Sequence, residues 1–202
     1  MHPYSIDNND RFRILWIVIP LAIAIAWLLN EFLLPLIPEF EKIRWLLRIP
    51  TSALALVYVF YKWFEKDLWH RFNNWFGLVK TPNLSGMYQG ILKSSRDDFQ
   101  SETEITIKIE QTLRYLLLTL STATSSSKSE MATIIPDAPD GPVLIYSFHN
   151  DYKKISEPEM QYHRGMSSLI YNEEKETLSG TYFTSPERGF HGEITLEKLP
   201  SC

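Results

Sequence analysis

The histidines of this chain are too scattered to form a recognised catalytic or metal-binding motif. There are five of them: His2, His70, His149, His163 and His191. No two have the spacing of a metal-ligand pair, and the sequence contains no nucleophile elbow, phosphate-binding loop or dinucleotide fingerprint. His149 and His163 flank one loop, so a two-histidine site is conceivable there.

The other reactive side chains also occur where catalysis is not expected. The acid pairs Asp97–Asp98 and Glu173–Glu174 lie in turn-rich stretches, where carboxylates are solvated. The serines at 125–127 have no base nearby and indicate the tip of a hairpin. Cys202 is the single cysteine, so neither an intramolecular disulfide nor a cysteine-rich metal site can form. We therefore predict no enzyme, no metal and no cofactor.

The chain does contain tyrosines and arginines suited to binding a nucleotide. Aromatic rings can stack on bases, and arginine donates two parallel hydrogen bonds to phosphate. The candidates are Tyr88, Tyr146, Tyr162, Tyr171 and Tyr182, with Arg114, Arg164 and Arg188. Our hypothesis is that Tyr88, Tyr146 and Tyr182 stack on bases while Arg114 and Arg164 bind phosphates. The alternative is that the tyrosines fill a core and the arginines are surface residues.

The charge balance excludes one large class of partner. Lysine and arginine number 20 against 24 aspartates and glutamates, which gives a net charge of −4. Binding to a nucleic-acid backbone requires a basic surface. We therefore expect neither DNA nor RNA as a partner, although a local basic pocket is compatible with this charge.

From residue 84 onward the apolar residues alternate with a period of two, which predicts β-strands. Eight strands are predicted, at residues 84–93, 103–111, 114–122, 128–135, 143–148, 165–171, 178–183 and 192–198. Short consecutive strands without a long intervening helix imply an antiparallel sheet, and eight strands can close into a small barrel. The expected fold of residues 81–202 is therefore an all-β antiparallel domain of about eight strands closed into a small barrel.

The alternation also assigns the inward face. On the first strand that face carries Leu84, Gly86, Tyr88, Gly90 and Leu92. The same pattern places Gly180 and Gly192 inward on the last two strands. Inward glycines permit the sharp coiling that a small barrel needs.

Residues 1–80 have a different composition, with all six tryptophans and the two longest apolar runs. Residues 14–30 carry no charge, and the apolar character resumes as far as residue 34. The second run, residues 45–64, is interrupted by Arg48 and Lys62, whose long side chains can reach the lipid headgroups. We predict a hairpin of two transmembrane helices, spanning about residues 14–34 and 45–64.

Basic residues orient this hairpin. They precede the first span and follow the second, at Arg11, Arg13, Lys62, Lys66 and Arg71. The connecting residues 38–42 are short and hold two acids. The positive-inside rule therefore predicts that both termini lie in the cytoplasm. Arg44 and Arg48 oppose this orientation.

Two alternatives remain for the N-terminal region. The first apolar run could be a cleaved signal peptide, but its small residues lie inside the run, and a second run follows directly. The spacing of apolar residues in 65–80 predicts an amphipathic segment. This segment could lie at the membrane surface, or it could be a linker helix that packs on the barrel.

Short motifs in the barrel, together with the two spans, resemble one family. Residues 82–90 are PNLSGMYQG, residues 178–183 are LSGTYF and residues 192–196 are GEITL. The chain resembles the two-transmembrane, β-strand-rich effectors of bacterial cyclic-oligonucleotide-based anti-phage signalling (CBASS). Members of that group often have a tryptophan where this chain has Tyr88. The glycine-x-aromatic start is also similar to that of the lipocalins.

This resemblance implies a mechanism. A partner nucleotidyltransferase would make a cyclic di- or oligonucleotide, which is the activating ligand. The barrel would bind it, the protein would form a homo-oligomer in the inner membrane of a bacterial cell, and the hairpins would disrupt the lipid bilayer. Cell death before phage release (abortive infection) would follow.

Two other classes of function fit the same sequence. One is a membrane-tethered, lipocalin-like carrier or sensor of a small apolar ligand. The other is a scaffold protein that binds a partner through an open edge strand. The barrel interior distinguishes them: an apolar cavity favours a lipid, convergent arginine and tyrosine favour a nucleotide, and a filled barrel favours a scaffold.

Overall fold

The chain forms two compact units. The computed structural model describes residues 1–6, 10–28, 31–32, 50–69, 79–123, 125–152, 163–186 and 188–200. One unit consists of Met1–Asn8 together with Lys80–Cys202, and the other is Asn9–Val79. The first few residues of the chain therefore belong to the same unit as the C-terminal domain, which the sequence did not predict.

The second unit is helical. Helix α1 runs from Asp10 to Leu28 and helix α2 from Pro50 to Trp63, and a π-helical turn, Phe64–Leu68, follows α2. Neither α1 nor α2 nor any other helix in the described ranges is both long enough and apolar enough to cross a membrane. The predicted connecting loop, residues 38–42, and residues 70–78 of the predicted amphipathic segment lie outside the described residues.

The first unit is a closed β-barrel. Its eight long strands are β3 (Gly86–Ser94), β4 (Thr103–Gln111), β5 (Tyr115–Ser121), β6 (Ser125–Ile135), β7 (Val143–Tyr152), β8 (His163–Asn172), β9 (Thr177–Thr184) and β10 (His191–Lys198). Consecutive strands pair antiparallel, β3 pairs with β10, and β5 pairs with β6, which closes the sheet. The predicted eight-stranded antiparallel barrel is confirmed.

The predicted hairpin tip at residues 125–127 is wrong. These serines already belong to β6, where Ser125 to Ser127 pair with Tyr152 to Asn150 of β7. Serine has a weak preference for strands, so the local sequence indicated a turn. Pairing with a neighbouring strand overrides that local preference.

The predicted inward face is confirmed as the core. Leu84, Tyr88, Leu178 and Leu196 are all buried in one apolar cluster, and Leu92 packs against it. On β10 the alternate residues His191, Glu193, Thr195 and Glu197 are exposed. Alternation over one buried face is therefore sufficient to fix the strand register in this domain.

The barrel is closed off at the end where β4 finishes and β5 begins. Gln111 is buried there: its Oε1 accepts a hydrogen bond from the backbone N–H of Leu84 (2.7 Å), and its Nε2 donates to the Pro82 carbonyl (3.1 Å) and the Tyr4 hydroxyl (3.2 Å). Side chains fill this closed end. The opposite end, where β3, β5, β7 and β9 finish, is the open end.

The seam between β5 and β6 contains two further short strands. These two long strands pair only at residues 119–121 with 126–128, near the open end. Beyond that point β1 (His2–Pro3) pairs antiparallel with β5 at Leu116 and Tyr115. The next short strand, β2 (Ser5–Ile6), pairs parallel with β6 at Thr133 and Ile134. The N-terminal residues therefore fill the gap where β5 and β6 separate.

Candidate functional site

A cavity of about 220 Å³ occupies the open end of the barrel. Residues from all eight long strands, or from the turns that join them, line it. Its floor is apolar and is formed by Leu92, Leu118, Leu120 and Ile194. Because the core stops at these residues, the space above them is available to a ligand.

Aromatic rings form part of the wall. Tyr146 and Phe148 lie on the inward face of β7, with ring centroids 6.1 Å apart and planes inclined by 50°. Tyr182 of β9 and Phe190, just before β10, complete the set. Rings of this kind provide flat surfaces on which a planar group can stack.

The two tyrosines of this wall are neutral at physiological pH. Burial raises the pKa of Tyr146 to about 12, although a hydrogen bond with Ser167 acts in the opposite direction. Burial also raises the pKa of Tyr182; its hydrogen bond with Ser94 lowers that pKa, and the charge of Asp97 adds to the increase. These phenols therefore act as stacking surfaces and hydrogen-bonding groups, not as bases.

A row of serines forms a polar wall. Ser125, Ser127 and Ser129 alternate along β6, so all three face inward, and all three are buried. The Ser129 hydroxyl oxygen accepts a hydrogen bond from the Leu118 backbone N–H (2.9 Å) and lies 2.7 Å from Nε2 of His2. Hydroxyls in this position can bind the polar edge of a ligand.

Asn150 supplies a buried hydrogen-bond acceptor in the cavity wall. Its side chain lies on the inward face of β7, lines the cavity and is 7% exposed. Its Oδ1 is buried and has no hydrogen-bond partner among the residues that the structure describes. A buried acceptor without a donor costs about 1–3 kcal/mol. Such an atom can accept a hydrogen bond from an N–H or O–H group that enters the cavity.

Two arginines stand at the mouth. Arg96 lies in the 3₁₀ turn Ser95–Asp97, and the Ser94 hydroxyl accepts a hydrogen bond from its backbone N–H (3.2 Å). Arg188 lies in the turn between β9 and β10, where its backbone N–H donates to the Ser185 carbonyl (2.9 Å). No carboxylate occurs among the described residues that line the cavity. This arrangement favours an anionic ligand.

The structure brings together two of the five predicted site residues, Tyr146 and Tyr182, which both line the cavity. Tyr88 is fully buried in the core, and its hydroxyl donates to the Leu84 carbonyl (3.1 Å). Arg114 lies at the closed end, 5.7 Å from the ring centroid of Tyr115. Arg164 faces outward, where its Nε lies 3.4 Å from Oε2 of Glu130. That the five bind a ligand stays a prediction.

Sequence reasoning missed Asn150, the serine row and Arg96. Alternation alone could have identified the first two, because Asn150 follows Tyr146 and Phe148 at intervals of two, and the three serines have the same spacing. Arg96 gave no such signal, because it lies in a turn.

The conceivable two-histidine site is not formed. His149 pairs across the sheet with Arg164, and His163 pairs with Asn150. Paired residues share a face, so the two histidines lie on opposite faces of the sheet. In the described ranges, no cluster of histidine, cysteine or acidic side chains could hold a metal ion.

Comparison with known proteins gives two matches. Residues 79–198 match the family model described as "Cap15, cyclic dinucleotide receptor domain". CD-NTase-associated protein 15 of Yersinia aleksiciae is 28% identical over 158 residues, which cover 75% of this chain and 74% of that protein. The resemblance to the effectors of cyclic-oligonucleotide-based signalling, drawn from the sequence motifs, is thereby confirmed.

Proposed function

Because this chain belongs to the family of Cap15 cyclic dinucleotide receptor domains, we propose that the cavity of its barrel binds a cyclic di- or oligonucleotide, made by a partner nucleotidyltransferase. One structural observation carries the proposal. The same cavity combines aromatic rings, the buried acceptor of Asn150, which has no donor among the described residues, and two arginines at its mouth. A nucleotide has a flat base, a polar base edge and a charged phosphate, and each has a matching partner here.

The size of the cavity suggests how such a ligand would bind. Pockets that enclose a drug-sized ligand have volumes of about 300–1,000 Å³, whereas this cavity measures about 220 Å³. A base would therefore enter the barrel between the aromatic wall and the serine row. The phosphates would remain at the mouth, near Arg96 and Arg188.

The interior also distinguishes the alternatives. A carrier of apolar molecules has no use for charge, but two arginines stand at the mouth of this cavity, and a row of serines and Asn150 lie among its apolar residues. A scaffold would have a filled barrel, but here one end is hollow. The observations therefore favour the nucleotide over both.

We further propose that the helical unit is the effector part of the protein: ligand binding triggers homo-oligomerisation, and the helices disrupt the inner membrane. Helix α1 exposes large apolar side chains, among them Phe12, Trp16 and Trp27, which favours contact with lipid. Residues 2–6 pair with strands of the barrel. The chain on both sides of the helices therefore lies on one side of any membrane they enter, which requires an even number of crossings.

The test uses the full chain reconstituted in dye-loaded lipid vesicles. Addition of cyclic dinucleotides, covering all pairwise combinations of the four RNA bases, should release the dye with at least one of them. The linear dinucleotide of the same bases should release none. No release with any of them, from vesicles shown to contain folded protein, contradicts the effector proposal.

Paired variants locate the responsible site. The double variant Arg96→Ala and Arg188→Ala removes the two positive charges at the mouth. Dye release at a given ligand concentration should fall at least tenfold, because charge-assisted hydrogen bonds are worth about 1.5–3 kcal/mol each. The matched control is Arg114→Ala with Arg164→Ala, which removes the same net charge outside the cavity. Equal loss in both pairs contradicts the proposed site.

A further inference from the structure

We infer that His2, in the N-terminal segment (residues 1–6), is a positioning residue that couples the cavity to the attachment of this segment. The inference rests on the proposed function of the cavity and adds its regulation. The link is the contact between His2 and Ser129. Ser129 belongs to the cavity wall, while His2 belongs to the short strand that fills the seam between β5 and β6.

The hydrogen bonds of His2 fix the direction of this contact. Its Nδ1 lies 3.1 Å from the Pro3 carbonyl oxygen. A carbonyl only accepts, so Nδ1 carries the proton, and in the neutral ring Nε2 is then an acceptor. Ser129 must therefore donate its single hydroxyl proton to Nε2, at 2.7 Å. The same oxygen accepts from Leu118 N–H (2.9 Å).

A ligand acceptor in the cavity competes with His2 for this proton. The base, which enters the barrel beside the serine row, carries carbonyl oxygens and ring nitrogens that can accept this proton. If Ser129 turns its proton towards the ligand, His2 loses its only described contact with the cavity wall. Ligand binding would then weaken the attachment of the N-terminal segment to the seam.

The rest of the attachment keeps the segment in the seam. The segment pairs through two residues with β5 and through two with β6. Tyr4 is 3% exposed and belongs to the apolar core of the barrel; its N–H donates to the Arg114 carbonyl (3.3 Å), and its hydroxyl donates to the Thr112 carbonyl (3.2 Å). Loss of the His2 contact therefore raises the fraction of molecules in which the segment opens, without releasing it from the barrel.

The experiment measures two properties of the full chain, tagged only at its C-terminus. The first is affinity for the cyclic dinucleotide that binds best among all pairwise combinations of the four RNA bases. His2→Ala removes the competitor for the Ser129 proton, so affinity should rise about fivefold, equivalent to one ordinary hydrogen bond. His2→Gln retains an acceptor and should restore the wild-type affinity. A purely structural role for His2 predicts weaker binding instead.

The second property is hydrogen exchange of the backbone amides in the segment, which are those of His2 and of residues 4–6 because Pro3 has none. In the wild-type protein the ligand should increase exchange at Tyr4, and in His2→Ala exchange should be high without ligand. The matched control is Ser5→Ala, which loses a hydrogen bond to Thr133 (2.7 Å) outside the cavity and should leave affinity unchanged.

Three outcomes decide the matter. Wild-type protein that binds none of the dinucleotides overturns the proposed function, and this inference with it. Wild-type protein that binds, with unchanged or weaker binding by His2→Ala, overturns the inference alone. Exchange at residues 2–6 that falls or stays constant on ligand addition also overturns it.

Discussion

Replacement of Asn150 by leucine is expected to weaken binding of the activating cyclic dinucleotide about ten- to a hundredfold while raising the stability of the ligand-free barrel. The side chain is buried, and its Oδ1 has no partner among the described residues. Burial takes this acceptor largely out of water without supplying a donor among the described residues. Removing it should therefore stabilise the barrel by about 1 kcal/mol. In the complex the same change removes a buried hydrogen bond, worth about 1–3 kcal/mol.

Opposite signs for stability and affinity are the signature of a binding residue. The measurements are the thermal midpoint without ligand and the dissociation constant by calorimetry. The control is Ser168→Ala, which changes an exposed polar residue on the neighbouring strand β8 and should leave affinity unaltered. An Asn150→Leu barrel that is less stable and binds normally would show that Asn150 is a structural residue.

Replacement of Gly90 by alanine is expected to destabilise the barrel by about 2–4 kcal/mol. A Cβ at this inward position would overlap the carbonyl oxygen of Thr195 and lie 2.8 Å from Cα of Leu196, both on the neighbouring strand β10. Backbone of a paired strand cannot move aside without breaking its hydrogen bonds. The thermal midpoint should fall on the order of 10 °C.

Ser179→Ala is the control for this change, because Ser179 is exposed on strand β9. The control should shift the free energy of unfolding by no more than about 0.5 kcal/mol. Near-ultraviolet circular dichroism during heating measures the unfolding of both variants. A Gly90→Ala midpoint no lower than that of the control would mean that the strands can separate here, contrary to the close approach in the structure.

The barrel was predictable because one physical rule governs most of it. A strand with one buried face repeats its apolar residues at intervals of two, and Leu84, Tyr88 and Leu92 do so on β3. The inward glycines were predictable for the same reason. The N-terminal strands were not, because two-residue strands carry no periodicity, and their pairing with β5 and β6 depends on contacts more than a hundred residues apart in the chain.

The candidate site was only partly predictable. Residue type suggested tyrosine and arginine, and this was sufficient for Tyr146 and Tyr182. It could not separate an arginine at the cavity mouth, such as Arg188, from one at the closed end, such as Arg114. That distinction depends on which end of the barrel is filled. The sequence did not indicate Asn150, because a single asparagine carries no signal until its burial is known, together with the lack of a hydrogen-bond donor to its Oδ1 among the described residues.

The measurement that tests the receptor function most directly is the thermal stability of the full chain with each cyclic dinucleotide. A ligand that binds the folded state alone raises stability by about 2.7 kcal/mol at a hundred times its dissociation constant, which shifts the midpoint by several degrees. We expect such a shift with at least one cyclic dinucleotide and none with its linear counterpart. A folded protein whose midpoint responds to none of them would contradict the conclusion that this barrel is a cyclic dinucleotide receptor.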